Sequence, residues 1–231
     1  MLRDWEALPS FMKVPEVKPY YDALHKKRIQ LVIKQFFDYM IALFLLIILA
    51  VPMALIAVWI KLDSQGPVFY RQERVTTYGK RFKIHKFRTM VNDAEEIGSA
   101  VTVNGDVRIT NAGKKLRGLR LDELPQVFDV LQGNMSFVGT RPEAVKYVEL
   151  YQSEFNATLL LPAGITSEAS IRYKDEAKLL DTVADVDKVY LEKVLPAKMK
   201  YNLQAISQYS FIGDVATMFR TVFAVLGKEY S

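Results

Sequence analysis

From Met40 to Ile60 the chain reads MIALFLLIILAVPMALIAVWI, and no charge falls anywhere in residues 39–60. At 1.5 Å per residue that is roughly 30 Å of helix, enough to cover the hydrocarbon core of a bilayer. The run is apolar on every face, unlike the striped helices of a soluble core. Pro52 removes one backbone hydrogen bond past its midpoint and predicts a kink. Ahead of it, Pro9, Pro15 and Pro19 exclude a long helix before Tyr20, and apolar positions follow no strong period. Beyond Lys61, Val68-Phe69-Tyr70-Arg71 and the alternating Arg81-Phe82-Lys83-Ile84-His85 flank a turn at Tyr78-Gly79-Lys80. That pattern predicts a β-hairpin over 67–88, with Lys83, His85 and the nearby Lys86 and Arg88 on one face. Leu124, Val127, Phe128 and Leu131 keep helical spacing and predict a helix from about 123 to 132, with Pro125 in its first turn and Gly133 as its stop. A second helix is expected to open at Pro142, with Val145 and Val148 inward and Arg141 just before it. Two more are expected at Val186–Tyr209, broken near Pro196, and at Asp214–Leu226. In the last, the stripe Val215, Met218, Val222 and Val225 reads as core. The fold class is therefore α+β, mainly helical with a small β-hairpin.

Composition narrows the chemistry. The 231 residues hold 31 Lys and Arg, 26 Asp and Glu, two His and no Cys. Disulfides, thiolate nucleophiles and Cys-containing zinc sites are thereby excluded, and two histidines make a multi-His metal centre an unattractive reading. Residues 61–120 carry 13 Lys and Arg against 6 Asp and Glu, a net +7 placed directly after the apolar run. Beside a membrane, such a block reads as binding lipid phosphate or a phosphorylated substrate, ahead of nucleic acid. Gly105 to Lys114 has the wrong spacing for a P-loop, and Lys115 stands where Ser or Thr is needed. Basic residues flank the apolar run on both sides, so charge asymmetry gives no orientation, and both a spanning helix and a re-entrant one fit. The N-terminal residues read as an interfacial arm, with Trp5, Tyr20, Tyr21 and Lys26-Lys27-Arg28 at the headgroups, or as a loosely ordered tail. Asp122 and Glu123 sit at a predicted helix start, where an N-cap and a first-turn acid would contribute about 1 kcal/mol and need no further role. Arg141 is placed to fork onto a phosphate, or is an ordinary surface arginine.

Four motifs occur in order: Asp63-Ser64-Gln65-Gly66-Pro67-Val68-Phe69-Tyr70-Arg71-Gln72-Glu73-Arg74; Phe82-Lys83-Ile84-His85-Lys86-Phe87-Arg88-Thr89-Met90; Leu121-Asp122-Glu123-Leu124-Pro125-Gln126; and Met135-Ser136-Phe137-Val138-Gly139-Thr140-Arg141-Pro142. With the Pro-interrupted apolar helix before them, they resemble the monotopic phosphoglycosyl transferases, bacterial sugar transferases acting on polyprenyl phosphate. The resemblance covers about residues 31–226. It implies transfer of a phosphosugar from a UDP-sugar to undecaprenyl phosphate with release of UMP, through a covalent phosphosugar on Asp122. It further implies that Glu123 assists, that Asp122 and Glu123 hold Mg²⁺, and that Lys86, Arg88 and Arg141 contact phosphate or nucleotide. The family arrangement is an N-terminal arm (1–34), a re-entrant membrane helix broken at Pro52 (35–62) and a catalytic domain (63–231) on the cytoplasmic face of the bacterial inner membrane. Membrane lipids are then partners, a homodimer is compatible, and nucleic acid is not expected. Three departures stand out. Val51-Pro52 replaces the usual Ser-Pro. Gly139-Thr140-Arg141-Pro142 and Gly133-Asn134-Met135-Ser136 each differ from the family pattern by one residue. Around Pro162 the family's Arg is missing, so Arg172 or Lys174 is expected to serve instead. The rival from another class is a non-enzymatic, membrane-anchored basic adaptor for anionic lipid or nucleic acid.

Overall fold

The computed structural model describes residues 2–92, 94, 106–173 and 185–225. Its helices are α1 (Lys18–His25), α2 (Arg28–Asp63), α3 (Asn111–Gly118), α4 (Gln126–Leu131), α5 (Val145–Val148), α6 (Glu168–Arg172), α7 (Val186–Val189), α8 (Leu195–Ser207) and α9 (Phe211–Val225). Strands β1 (Phe69–Val75) and β2 (Arg81–Phe87) form the expected antiparallel hairpin, in register from Phe69 opposite Phe87 to Val75 opposite Arg81. Tyr78 and Gly79 close it at positive φ. A second sheet was not legible in the sequence: β3 (Met135–Val138) pairs in parallel with β4 (Ala163–Thr166). The pairing needs two glycines back to back. A Cβ on Gly164 would lie 2.2 Å from the backbone N and O of Gly139.

Helix α2 takes up the whole apolar run and has Pro52 in its interior. It is the one helix among the described residues long and apolar enough to cross a membrane. Its outward side is a continuous apolar stripe, including Phe36, Phe44, Ile47, Val51, Leu55, Val58 and Leu62 at 58–82% exposure. Its other side packs on the domain. Ala42, Met53 and Ile60 join a core with Phe82, Ile84, Phe87, Leu116, Val127 and Val130.

The N-terminal residues are not a loosely ordered tail. Leu2, Leu8, Met12, Val17, Tyr21 and Leu24 are 0–5% exposed and fill a second core with Phe155, Leu160, Met199 and Ile206. Their spacing follows two short 3₁₀ turns, Trp5–Ala7 and Ser10–Met12, so no helical or strand period marks them as core. Lys27 and Arg28 are likewise engaged with protein, on the Tyr209 carbonyl and on Leu2 and Asp4.

Other expectations are corrected. Pro142 opens no helix. Residues 140–144 are non-helical and α5 begins at Val145, because the Glu143 carbonyl accepts from Val75 N at 3.1 Å and so extends the edge of β1. Pro196 does not break the C-terminal run. The helix widens into a π turn at Tyr190–Val194 just ahead of it, which accommodates the proline's missing N–H. In α9, Met218 reaches the core while Val222 is 55% exposed, so its stripe is only partly core.

Candidate active site

The acidic pair lies in a 3₁₀ turn, Leu121–Glu123, and not at the start of a regular helix. Had Asp122 been an N-cap, the residue three positions on, Pro125, would have had no N–H to offer it. The chain instead tightens into i to i−3 bonds, Leu124 N to Leu121 O at 3.3 Å and Phe128 N to Pro125 O at 3.0 Å, and α4 starts only at Gln126. Arg120, just before the turn, has φ 57°, a left-handed conformation costing a non-glycine residue about 1–2 kcal/mol. Backbone strain beside a pair of buried acids is a mark of a functional site.

Glu123 is clamped. Lys86 Nζ donates to its Oε1 at 2.9 Å, and Arg141 forks onto both oxygens, Nη2 to Oε1 at 2.5 Å and Nη1 to Oε2 at 3.4 Å. Burial alone would raise its pKa, but Arg141 and Lys86 outweigh burial and hold the carboxyl well below its usual range. Arg141 is shifted up in turn, chiefly by Glu123, whereas burial lowers Lys86 against the pull of Glu123. Asp122 is 9% exposed and forms no ion pair among the described residues. Burial raises its pKa, the Glu123 charge adds to that, and Lys86 and Arg117 pull it back. Two adjacent acids thus have pKa values driven in opposite directions, the pattern of paired carboxylates with separate roles.

Lys86 reaches this site because β2 alternates: it shares the inward side of the strand with Phe82 and Ile84, while Lys83 stays exposed on the other. The expected single basic face is therefore split. His85 is fastened to α4, its Nδ1 2.8 Å from Asp129 Oδ1 and its backbone N donating to Asp129 Oδ2 at 2.8 Å. Arg88 is engaged away from the acids. At 5% exposure, it donates to the Gln65 and Ser64 carbonyls at 2.7 Å each and to Ser64 Oγ at 3.0 Å, closing the C-terminal end of α2. Arg172 is held on its own helix by Glu168, Nε to Oε1 at 2.8 Å, with its guanidinium over the Tyr201 ring. Lys174, the other expected substitute, lies outside the described residues.

Two cations not singled out as site residues belong here. Arg117 on α3 donates Nε to Thr89 Oγ1 at 2.8 Å, and its charge lowers the pKa of Asp122. Arg74 on β1 is desolvated beside Glu143 and Arg141. Each was one basic residue among many. The usable signal for Arg117 was its place five residues before Asp122, in the last turn of the helix that ends at Gly118.

The sequence profile of the bacterial sugar transferases matches residues 29–228. A protein of Aeromonas hydrophila named UDP-N-acetylgalactosamine-undecaprenyl-phosphate N-acetylgalactosaminephosphotransferase is 35% identical over 173 residues, which is 74% of this chain and 38% of that protein. UDP-glucose:undecaprenyl-phosphate glucose-1-phosphate transferases of Klebsiella pneumoniae and Escherichia coli K12 are 35% and 34% identical, over 84% and 90% of this chain and 40% and 43% of their own lengths. The chain thus spans about two fifths of the length of these relatives. With a profile match over most of its length and the acidic pair set between lysine and arginine, the chain belongs to the bacterial sugar transferase family.

Proposed function

We propose that the chain is a phosphoglycosyl transferase that moves a phosphosugar from a UDP-sugar to undecaprenyl phosphate, with Asp122 as the nucleophile. One observation carries the assignment: of the two acids, Glu123 is neutralised by Lys86 and Arg141, while Asp122 has no cation bonded to it among the described residues. In the first step an Asp122 carboxylate oxygen attacks the β-phosphorus. The bond from that phosphorus to the oxygen bridging the α-phosphate breaks, and UMP departs with the electron pair. In the second step an undecaprenyl phosphate oxygen attacks the same phosphorus. The Asp122 oxygen leaves as carboxylate, and undecaprenyl diphosphate sugar is formed. Neither nucleophile carries a proton that must be removed, so no general base is required.

Bringing a carboxylate to 4 Å from a phosphate oxygen costs about 4 kcal/mol at an effective dielectric near 20. Arg117 and the Lys86–Arg141 pair supply the opposing charge. Glu123 keeps those two cations in place and partly neutral until the diphosphate arrives, a role of organising the clamp. Of the two acids expected to hold Mg²⁺, Asp122 has its carboxylate free of ion pairs among the described residues, whereas Glu123 already carries two cations; an ion held there would be shared with substrate phosphates. Bound there, it would neutralise diphosphate charge.

The same reading makes α2, one continuous helix with Pro52 in its interior, a re-entrant anchor, with the site at the cytoplasmic face of the inner membrane. Support comes from both ends of α2 being fastened to one body. At its start Lys34 pairs with Asp214 at 2.7 Å and Leu31 joins the N-terminal core. At its end Asp63 Oδ2 accepts from Ala112 N at 3.0 Å and Arg88 holds Ser64. A spanning helix would put those ends on opposite sides of roughly 30 Å of hydrocarbon. The decisive assay is UMP release from UDP-sugars with undecaprenyl phosphate and Mg²⁺. Turnover that Asp122→Asn abolishes supports the proposal, and full activity in Asp122→Asn removes the nucleophile.

A further inference from the structure

Two residues beyond Arg141 the chain buries another acid, for which the reaction has no use. Glu143 is 9% exposed, Tyr190 4% and Lys198 5%. Tyr190 Oη donates to Glu143 Oε1 at 2.7 Å. Lys198 Nζ donates to Tyr190 Oη at 3.2 Å and lies 3.6 Å from Glu143 Oε1. Glu143 comes from the segment after β3, while the other two come from the C-terminal helical run, so the trio ties distant parts of the chain together behind the clamp.

Tyr190 and Lys198 meet because of the π turn. Eight residues at about 100° each would set them about 80° apart on a regular helix, but the extra residue taken up by one wide turn brings them to within about 20°. Tyr190 is the first residue of that turn. The turn sacrifices regular helical hydrogen bonding, and such turns recur at functional sites. Stability is a poor reason for the trio, since well-packed apolar side chains of similar volume commonly match or exceed a buried ion pair. What the trio does provide is position. With its carbonyl bonded to Val75 N and its carboxylate to Tyr190, Glu143 has both main chain and side chain fixed, and only buried Pro142 separates it from Arg141.

We infer that Glu143, Tyr190 and Lys198 form a positioning network that holds the Arg141-Pro142-Glu143 segment out of helix, so that Arg141 stays aimed at Glu123 and at the incoming diphosphate. The inference rests on the proposed role of Asp122 and extends the working site to the C-terminal helices. A phosphate-binding arginine preset in this way meets the transition state without reorganisation.

The test is a double-mutant cycle in the full-length protein, reading UMP release and thermal unfolding together. Tyr190→Phe is expected to lower the melting temperature by about 3–12 °C, as loss of a buried hydrogen bond to a charged group does, and to lower kcat by about tenfold or more when assayed well below that temperature, where the variant is fully folded. Lys198→Met, close in volume, should act in the same direction. In an Arg141→Ala background Tyr190→Phe should change kcat by less than about twofold, because its effect runs through Arg141. Wild-type kcat in both single variants, losses that vanish where the variants are fully folded, or full multiplication onto Arg141→Ala would overturn the network. Should the wild-type protein release no UMP, it is the role of Asp122 that fails. The network is then judged on the guanidinium ¹⁵N–¹H signals of Arg141, expected to be exchange-protected in the wild type and averaged in Tyr190→Phe; signals identical in the two proteins overturn it.

Discussion

Glu123→Gln removes one charge while keeping the shape of the side chain. With Lys86 Nζ at 2.9 Å and Arg141 Nη2 at 2.5 Å from Oε1, the gross attractions lost are about 6 and about 7 kcal/mol at an effective dielectric near 20. Most of that was offset by desolvation, and breaking a buried pair by removing one partner costs about 3–5 kcal/mol net. For a chain of this size the loss is roughly 6–20 °C in melting temperature. The deficit should also depend on pH. Burial already lowers Lys86, and without Glu123 nothing comparable raises it again. The unfolded chain then binds more protons than the folded one between the depressed pKa of Lys86 and the ordinary lysine value near 10.4, so stability in the variant rises with pH through that window. Tryptophan-fluorescence melts of protein in nanodiscs, at one scan rate and at several values between about pH 7 and pH 10, read both effects. Adding Lys86→Met to Glu123→Gln should recover part of the loss. Turnover should fall as well, because Lys86 and Arg141 lose the acceptor that holds them in place for the diphosphate. A Glu123→Gln protein as stable as the wild type, or a deficit independent of pH, would refute the description of Glu123 as the counter-charge of the clamp.

Three further outcomes are expected. Gly164→Ala drives a Cβ into the Gly139 backbone, which has no flexible side chain to yield, and should separate β3 from β4 with a loss of about 2 kcal/mol or more in stability or of folded yield on purification. Arg88→Lys cannot reproduce a fork over the Ser64 and Gln65 carbonyls and should cost about 1–3 kcal/mol in stability at unchanged KM for the UDP-sugar, whereas a raised KM at unchanged stability would return Arg88 to substrate binding. Because the chain has no native cysteine, single cysteines near Trp5 and at Lys188 can be labelled in sealed vesicles; both should react from the same side, and reaction from opposite sides would establish a spanning α2.

What the sequence made legible were the features that local periodicity encodes. The hairpin followed from alternation around Tyr78-Gly79, and α2 from an absence of charge long enough to stand alone. The parallel β3–β4 pair escaped because each strand is four residues long and their contact depends on Gly139 meeting Gly164 across 25 positions, which no local pattern shows. The N-terminal core escaped for a related reason: 3₁₀ turns place Leu8, Met12 and Val17 inward without a constant period. In the site, motif order singled out Asp122, Glu123, Lys86 and Arg141, which the fold does bring together. It could not sort arginines by partner. Arg88 is taken by carbonyls more than twenty residues upstream and Arg172 by Glu168, while Arg117 and Arg74 lie among the charges around Asp122 and Glu143. The role of Arg88 depends on nonlocal acceptors, and the composition of the +7 block shows only that acceptors must exist.

The central claim is the covalent phosphosugar on Asp122, and intact-protein and peptide mass spectrometry address it most directly. Incubated with a UDP-sugar and no lipid acceptor, the chain should release UMP and gain the mass of one phosphosugar on the peptide containing Asp122. The adduct should discharge on addition of undecaprenyl phosphate and never form in Asp122→Asn. UMP release that requires both substrates together, with no adduct and with activity retained in Asp122→Asn, would contradict it.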